Sequence, residues 1–181
     1  MALADITPNI TVETKRLMLR PLTYAQLLKY MRLDNSLESE LLLNHGQRSI
    51  SPELREALEQ TIVPSVADQT KNYLYSTLWT IISRQDQRMV GDLCVLGEPN
   101  AAGEIEIGYG TYEVFQNRGF MTEAVAGIIG WARQQPAIRA ILATTGKQNI
   151  ASFSVLQKNH FVQEQETDDE FYWRLSIEQL S

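Results

Sequence analysis

Cysteine is almost absent from this 181-residue chain. Cys94 stands alone, so no disulfide can close within it, and a reducing, cytosolic setting is expected. Histidine is nearly as scarce, with only His45 and His160; that removes a Cys/His zinc site, leaves carboxylates as the remaining ligand type, and no metal is expected. Long apolar runs are missing too. The longest nearly apolar stretch, residues 124–132, falls well short of the roughly 20 residues of a membrane span. Met1 to Asp5 carry neither a basic segment nor an apolar core, so no export leader is expected there. Positive charge is in deficit: 16 basic against 22 acidic side chains give −6, with no basic stripe for a nucleic acid to follow. Repeats, low-complexity tracts and linkers are likewise missing, and at roughly 100–200 residues per domain the reading is one domain over residues 1–181.

What is present patterns clearly. Arg16 to Arg20 alternates polar and apolar residues up to Pro21 and reads as a half-buried strand. Thr23 to Leu43 carries helical spacing, and Ser51-Pro52-Glu53 is a helix start that should run to about Ile62, before Pro64. Residues 73–83 and 89–96 are rich in β-branched and aromatic side chains, with the polar 84–87 between them as a hairpin turn. Residues 104–110 alternate again. Then the period changes: Val125, Ile128, Ile129 and Ala132 form one apolar helical face starting near Met121. A short strand (138–144), a helix (150–158) and a final strand pair (161–166 and 171–176) complete a mixed α/β domain around one sheet. Trp79, Trp131 and Trp173 read as core or rim aromatics. Gly127 and Gly130 inside a helix suggest close packing onto the sheet or a ligand.

The segment Gln116-Asn117-Arg118-Gly119-Phe120-Met121-Thr122-Glu123-Ala124 joins a strand to a helix through a glycine turn. Such a turn leaves main-chain N–H groups unpaired at a helix N-terminus, and these together with the helix dipole attract an anion. No Gly-Lys-Ser/Thr follows, so it is not a P-loop, and it lacks the glycines of a dinucleotide fingerprint. A plain strand-to-helix turn is the competing reading of the segment alone.

In context the segment resembles the acyl-CoA pyrophosphate loop of the GNAT N-acetyltransferases, Q/R-x-x-G-x-G/A: Gln116, Arg118 and Gly119 stand in register, and Met121 takes the last small position. Thr14 to Leu22 is similar to the opening strand of the branch acetylating ribosomal-protein N-termini (RimJ/RimL-like). Trp79-Thr80-Ile81, Val90-Gly91 and Glu106 to Tyr109 fall where that branch has similar residues, and Asn149 to Ser152 with Val155 to Phe161 is similar to its N-x-x-S…K-x-G-F ending. The resemblance runs in order through roughly residues 14–162 and is weakest over 36–72.

The resemblance implies the GNAT fold, a mostly antiparallel twisted sheet flanked by helices and splayed between the fourth and fifth strands, here 106–111 and 138–144. It implies acetyl-CoA as cosubstrate, held by Tyr109, Gly110, Thr111, Gln116, Asn117, Arg118, Gly119, Phe120, Met121, Thr122 and Asn149, with an amine of a protein N-terminus or a small molecule as acceptor. A homodimer is compatible with the family. Glu106 is the first candidate for general base, with Glu104 in reserve; both read equally as solvent-facing strand residues. The family's acid is often a tyrosine where this chain has Leu156, so Ser152 is the candidate acid, Tyr109 coming last. Arg118 reads equally as a surface arginine, Asn149 as a helix N-cap and Ser152 as a first-turn serine. His160 replaces a glycine at a helix exit, where a left-handed conformation is expected. A CoA-binding regulatory or interaction module without turnover is the alternative function, and a fold relative that does not bind CoA is a third.

Overall fold

The computed structural model describes residues 10–180, so the leader reading of the first five residues, and the outermost ends of the expected 1–181 domain, lie outside the described residues. Eight strands form one sheet: β1 (Val12–Glu13), β2 (Leu17–Pro21), β3 (Leu78–Ser83), β4 (Arg88–Val95), β5 (Glu104–Thr111), β6 (Ala140–Gly146), β7 (Val162–Glu166) and β8 (Glu170–Ser176). Their spatial order is β1-β2-β3-β4-β5-β6-β8-β7. Among the described residues every pairing is antiparallel except β5 with β6. The mixed α/β class and the hairpin at residues 84–87 are borne out. The two-residue β1 gave too short a pattern to read, so the opening in the sheet lies between the fifth and sixth strands rather than the fourth and fifth.

Helices α1 (Tyr24–Arg32), α2 (Ser36–Glu40), α3 (Pro52–Ala57) and α4 (Val63–Ala67) precede β3, while α5 (Phe120–Ala132) and α6 (Ile150–Lys158) flank β6. The expected single helical stretch from Thr23 to Leu43 is broken because Leu33 and Asn35 both adopt left-handed backbone. Thr23 caps α1 in a reciprocal box with Gln26. Ser51 caps α3 as the sequence suggests. The helix does not stop at Ile62, however: one π turn, Leu58–Ile62, precedes Pro64. Its wide bonding lets the chain remain helical past a residue with no N–H to give. Residues 73–75 are a 3-10 turn capped by the Asn72 side chain, so the strand expected from Tyr73 begins only at Leu78.

Two apolar layers sandwich the sheet. On one face Leu17, Leu19, Trp79, Ile81, Leu93, Ile105 and Ile107 meet Val125, Ile128 and Trp131 of α5. On the other, Leu78, Ile82 and Met89 meet Leu27 and Tyr30 of α1, Leu37 of α2, and Leu58 and Ile62. Strand β3 is buried along its whole length because both faces are covered, which erases the period-2 pattern. The tryptophans are core residues, as expected: Trp79, Trp131 and Trp173 are all buried.

Between the second layer and the sheet lies a buried polar cluster. The Tyr30 and Tyr112 hydroxyls donate to Asp92 Oδ2 at 2.6 and 2.9 Å. Arg48 lies over the Tyr30 ring and pairs with Glu38 at 2.8 Å, with both side chains buried. Desolvation pushes the Asp92 carboxyl up to about 6 from 3.8, against the pull of the two tyrosine bonds and Arg48.

Two predictions follow from this packing. Between about pH 4 and pH 6 the folded chain still holds the Asp92 proton that the unfolded chain has released. The native state therefore binds more protons there, and stability falls as pH rises through that window; urea titrations of Asp92→Asn should lack this slope. The α5 glycines differ as well. A Cβ on Gly127 would meet Thr14 Cγ2 at 3.0 Å and Val12 Cγ1 at 3.3 Å, whereas one on Gly130 meets nothing within 4 Å. Gly127 is thus the close-packed residue the sequence suggests, and Gly130 is not. Gly130→Ala should stabilise by about 0.5–1 kcal/mol, measured as a raised urea midpoint, and exceed any gain from Gly127→Ala.

Candidate active site

Strands β5 and β6 pair for only three residues, Glu104↔Ala140, Ile105↔Ile141 and Glu106↔Leu142. Beyond Glu106 they part, and β5 continues to Thr111 bonded only to β4. The antiparallel alternation decides which groups this leaves free. Leu96 N–H donates to the Glu106 carbonyl at 2.8 Å and Tyr112 N–H to the Val90 carbonyl at 2.9 Å, so the even-numbered residues bond to β4. Ile107, Tyr109 and Thr111 therefore turn their main-chain groups to the opened edge, where the Thr111 carbonyl accepts from Gln116 Nε2 at 3.4 Å.

The far end of that edge is the glycine turn. Asn117 and Gly119 both adopt left-handed backbone, with φ of +62° and +76°. Gly119 is the N-cap of α5 but supplies no side-chain acceptor, so the N–H groups of the first helical turn point outward, converged by the alternating backbone into an anion-binding nest. The turn is braced from behind. Glu123 accepts from Thr14 Oγ1 (2.6 Å), Arg16 N–H (2.7 Å) and Arg16 Nε (2.6 Å), and Arg16 Nη1 donates to the Arg118 carbonyl at 2.9 Å. These bonds hold the Glu123 carboxyl below its usual range against its own desolvation. Arg16 and Glu123 were missed by sequence reasoning: they lie 107 residues apart, and neither type at its place carries a local signal.

A cleft of about 620 Å³ joins the edge to the turn, and all eleven residues expected to bind the cosubstrate line it: Tyr109, Gly110, Thr111, Gln116, Asn117, Arg118, Gly119, Phe120, Met121, Thr122 and Asn149. Ser152 lines it as well. So does a stripe of α6, Ala151, Ser154, Val155 and Lys158, whose i, i+3, i+4, i+7 spacing was legible but unread. The Arg118 guanidinium pairs with Asp86 at 3.5 Å and lies over the Phe120 ring. Asn149 Oδ1 accepts from Ser152 N–H at 3.1 Å, so Asn149 does cap α6 while facing the cleft.

The candidate acid–base groups separate. Ile105 and Ile107 are buried against α5, which puts Glu106 on the opposite sheet face, at the last paired position before the strands part. Its carboxylate accepts from Thr144 Oγ1 of β6 at 3.1 Å, and it does not line the cleft. Glu104 is committed elsewhere: Arg174 and Asn100 donate to it and hold its carboxyl below the usual range. The reserve candidate for base is thus engaged in an ion pair. Tyr109 donates to the Ser152 carbonyl at 2.8 Å, and burial pushes its hydroxyl up to about 12. Leu156 is fully buried, so the tyrosine place of the family is filled by a core residue. His160 has φ +66°, the expected left-handed exit, with Phe161 N–H bonded back to the Leu156 carbonyl. Among the described residues no group of three His, Cys, Asp or Glu could hold a metal ion, and no helix is long and apolar enough to cross a membrane.

The sheet order, the parting of its one parallel pair and the glycine turn at the mouth of the gap are those of the GNAT acyltransferase fold. The chain belongs to that family: residues 16–162 match the acetyltransferase (GNAT) domain. Among curated proteins it is similar to the uncharacterised N-acetyltransferase YjdG of Bacillus subtilis, 28% identical over 95 residues, a match spanning 52% of this chain and 56% of that protein. The chain thus spans about half the length of that relative. Among solved structures it is similar to RimL, the ribosomal L7/L12 alpha-N-protein acetyltransferase, in complex with coenzyme A. That similarity has a TM-score of 0.65 and 18% identity, over 93% of this chain and 98% of the other. The Salmonella typhimurium acetyl transferase that modifies the N-terminal serine of L7/L12 is similar too, with a TM-score of 0.65, 19% identity and 93% and 100% coverage. At these identities the likeness to solved structures is one of fold.

The nest makes a direct prediction. Alanine at Gly119 would have to hold φ +76°, with its Cβ 3.4 Å from Arg16 Nη2. At about 1–2 kcal/mol for a left-handed non-glycine residue, strain that the free variant sheds by relaxing out of the nest and must take up again to bind, Gly119→Ala should weaken coenzyme A binding about tenfold in calorimetry.

Proposed function

We propose that this protein is an acetyl-CoA-dependent N-acetyltransferase acting on a primary amine. The observation that carries the reading is the convergence of the nest, the opened β5 edge from Tyr109 to Thr111 and the α6 stripe on one cleft, on the stretch of β5 that follows its last pair with β6. The residues present fit the cosubstrate. The outward N–H groups of Phe120, Met121 and Thr122, uncapped by any side chain, suit a diphosphate, and the edge of Ile107 to Thr111 suits an extended amide-bearing arm by strand addition. Acetyl-CoA supplies an acyl carbon activated as a thioester.

The chain's own residues then have distinct tasks. The cleft lies on the α5/α6 face and Glu106 on the other, so the gap between the strands is where donor and acceptor meet. Glu106 takes the proton of the incoming ammonium, directly or through water, since only the neutral amine attacks. A main-chain N–H on the opened edge, at Tyr109 or its neighbours, is a fixed donor for the oxygen that gains charge as the amine adds. Ser152, at the start of α6 and on the cleft wall, delivers a proton to the departing thiolate. The acceptor approaches over the Glu106 face, where β7 is exposed along its length and Tyr172 and Arg174 of β8 are half-buried; a protein N-terminus, as for the ribosomal relatives, and a small amine are the acceptors that open side would admit.

The test follows free thiol release from acetyl-CoA against a panel of N-terminal peptides and small amines. Turnover on at least one acceptor is expected. Tight coenzyme A binding with no thiol release on any acceptor would instead favour a regulatory module, a reading that draws support from the buried Leu156 in place of an acid. For a general base, Glu106→Gln should lower kcat roughly 100-fold or more while leaving the KM for acetyl-CoA within about twofold.

A further inference from the structure

The proposed reaction leaves one buried titratable group unused. Asp92 is 6% exposed and lies on the sheet face away from the cleft, paired across the strands with Thr80 on one side and with the cleft-lining Gly110 on the other. Its Oδ2 is shared by hydroxyls from two different parts of the fold, Tyr30 of α1 and Tyr112 at the end of β5. Its Oδ1 is buried without a partner, as is the neighbouring Thr80 Oγ1. Tyr112 is the first residue after β5. From it the chain enters a 3-10 turn, Glu113–Phe115, closed by Phe115 N–H to the Tyr112 carbonyl at 2.9 Å, and passes straight into Gln116 to Gly119, the glycine turn that leads into the amide nest at the start of α5. The Tyr112 side chain is thus an anchor at the root of the nest, held by a carboxyl oxygen that it shares with the neighbouring Tyr30 hydroxyl.

We propose that Asp92 is a positioning residue for cosubstrate binding: through Tyr112 it fixes the segment leading from β5 into the amide nest, so that the strength of this one shared acceptor sets how tightly the nest holds a diphosphate. The inference rests on the acetyl-CoA reading of the cleft. A carboxylate accepts hydroxyl bonds more strongly than a neutral carboxyl, and burial places the Asp92 titration at about 6. Both tyrosine hydroxyls are pushed far up by burial beside Asp92, so they remain donors throughout. The other charged and titratable groups facing this carboxyl are Arg48, itself neutralised by Glu38 of α2, and the Cys94 thiol two residues along β4, which burial keeps neutral, with Glu106 beyond it. Arg20 of β2, across Thr80 on the same face, lies toward Glu40. None of these replaces Asp92 as acceptor for Tyr112.

The test measures calorimetric dissociation constants for dephospho-coenzyme A, whose diphosphate does not titrate near neutrality, between pH 5 and 7.5. Wild-type protein should bind three- to tenfold more tightly at the upper end. Asp92→Asn, which keeps an oxygen acceptor, should bind with little change across the range. Tyr112→Phe, which removes the anchor and leaves Asp92 and Tyr30 in place, should bind at least threefold more weakly than wild type at pH 7.5, also without pH dependence. A purely structural role would lower the urea midpoint of the variants yet leave the affinity and its pH profile unmoved, and that result overturns the proposal. So does a wild-type profile identical to that of Asp92→Asn. Failure of the wild-type protein to bind at millimolar ligand overturns the acetyl-CoA reading itself and the proposal with it.

Discussion

The parting of β5 from β6 after a single three-residue stretch of parallel pairing is the constraint on which the remaining architecture depends. A strand that loses its neighbour exposes main-chain donors and acceptors that must be satisfied, and a sheet interior offers no water to do so. The fold resolves this by opening the unpaired edge onto a cleft rather than closing it with side chains. Bare positions at Gly108 and Gly110 keep the strand itself slender there: a Cβ on Gly110 would meet nothing within 4 Å, and one on Gly108 only Cys94 Sγ at 3.6 Å.

Everything around the gap holds its two lips in place. The upper lip is α5, whose N-terminus is clamped by Glu123 to the Thr14–Arg16 segment just before β2. The lower is α6, tied to β5 through the Tyr109 hydroxyl and the Ser152 carbonyl. Asn159 adds a strut from the end of α6 back to the Thr122 carbonyl of α5 at 3.1 Å. These are bonds between elements distant in sequence, and they make a nest of main-chain amides rigid. On the opposite face the α1–α4 layer closes over β2 to β4 and stops short of β7 and β8, leaving the Glu106 side of the gap open to an acceptor.

Much of this was legible in the chain. The alternation at residues 104–110, the i, i+3, i+4, i+7 face of α5, the Ser51-Pro52 start and the glycine turn are local patterns, and local patterns survive because each reports the geometry of a few neighbouring residues. The misses were non-local. The Tyr73 to Thr77 stretch has strand composition but turns, because the Asn72 side chain captures the Leu74 N–H. Pro64 should have ended a helix and did not, because a π turn stood before it. Glu104 and Glu106 look interchangeable in sequence, yet Arg174, seventy residues on, claims one and leaves the other at the gap.

By itself, then, the sequence determined most of the strands and helices, where the anion-attracting turn lies and which side chains are candidates for proton transfer, since hydrophobic period and turn chemistry act over a handful of residues. Only the tertiary structure decided that β5 and β6 separate at Glu106, that the eleven candidates face one cleft, and that Asp92 is buried beneath two tyrosines. Strand register and the removal of water are set by the packing of the whole sheet against both helical layers, and no short window of residues contains that information.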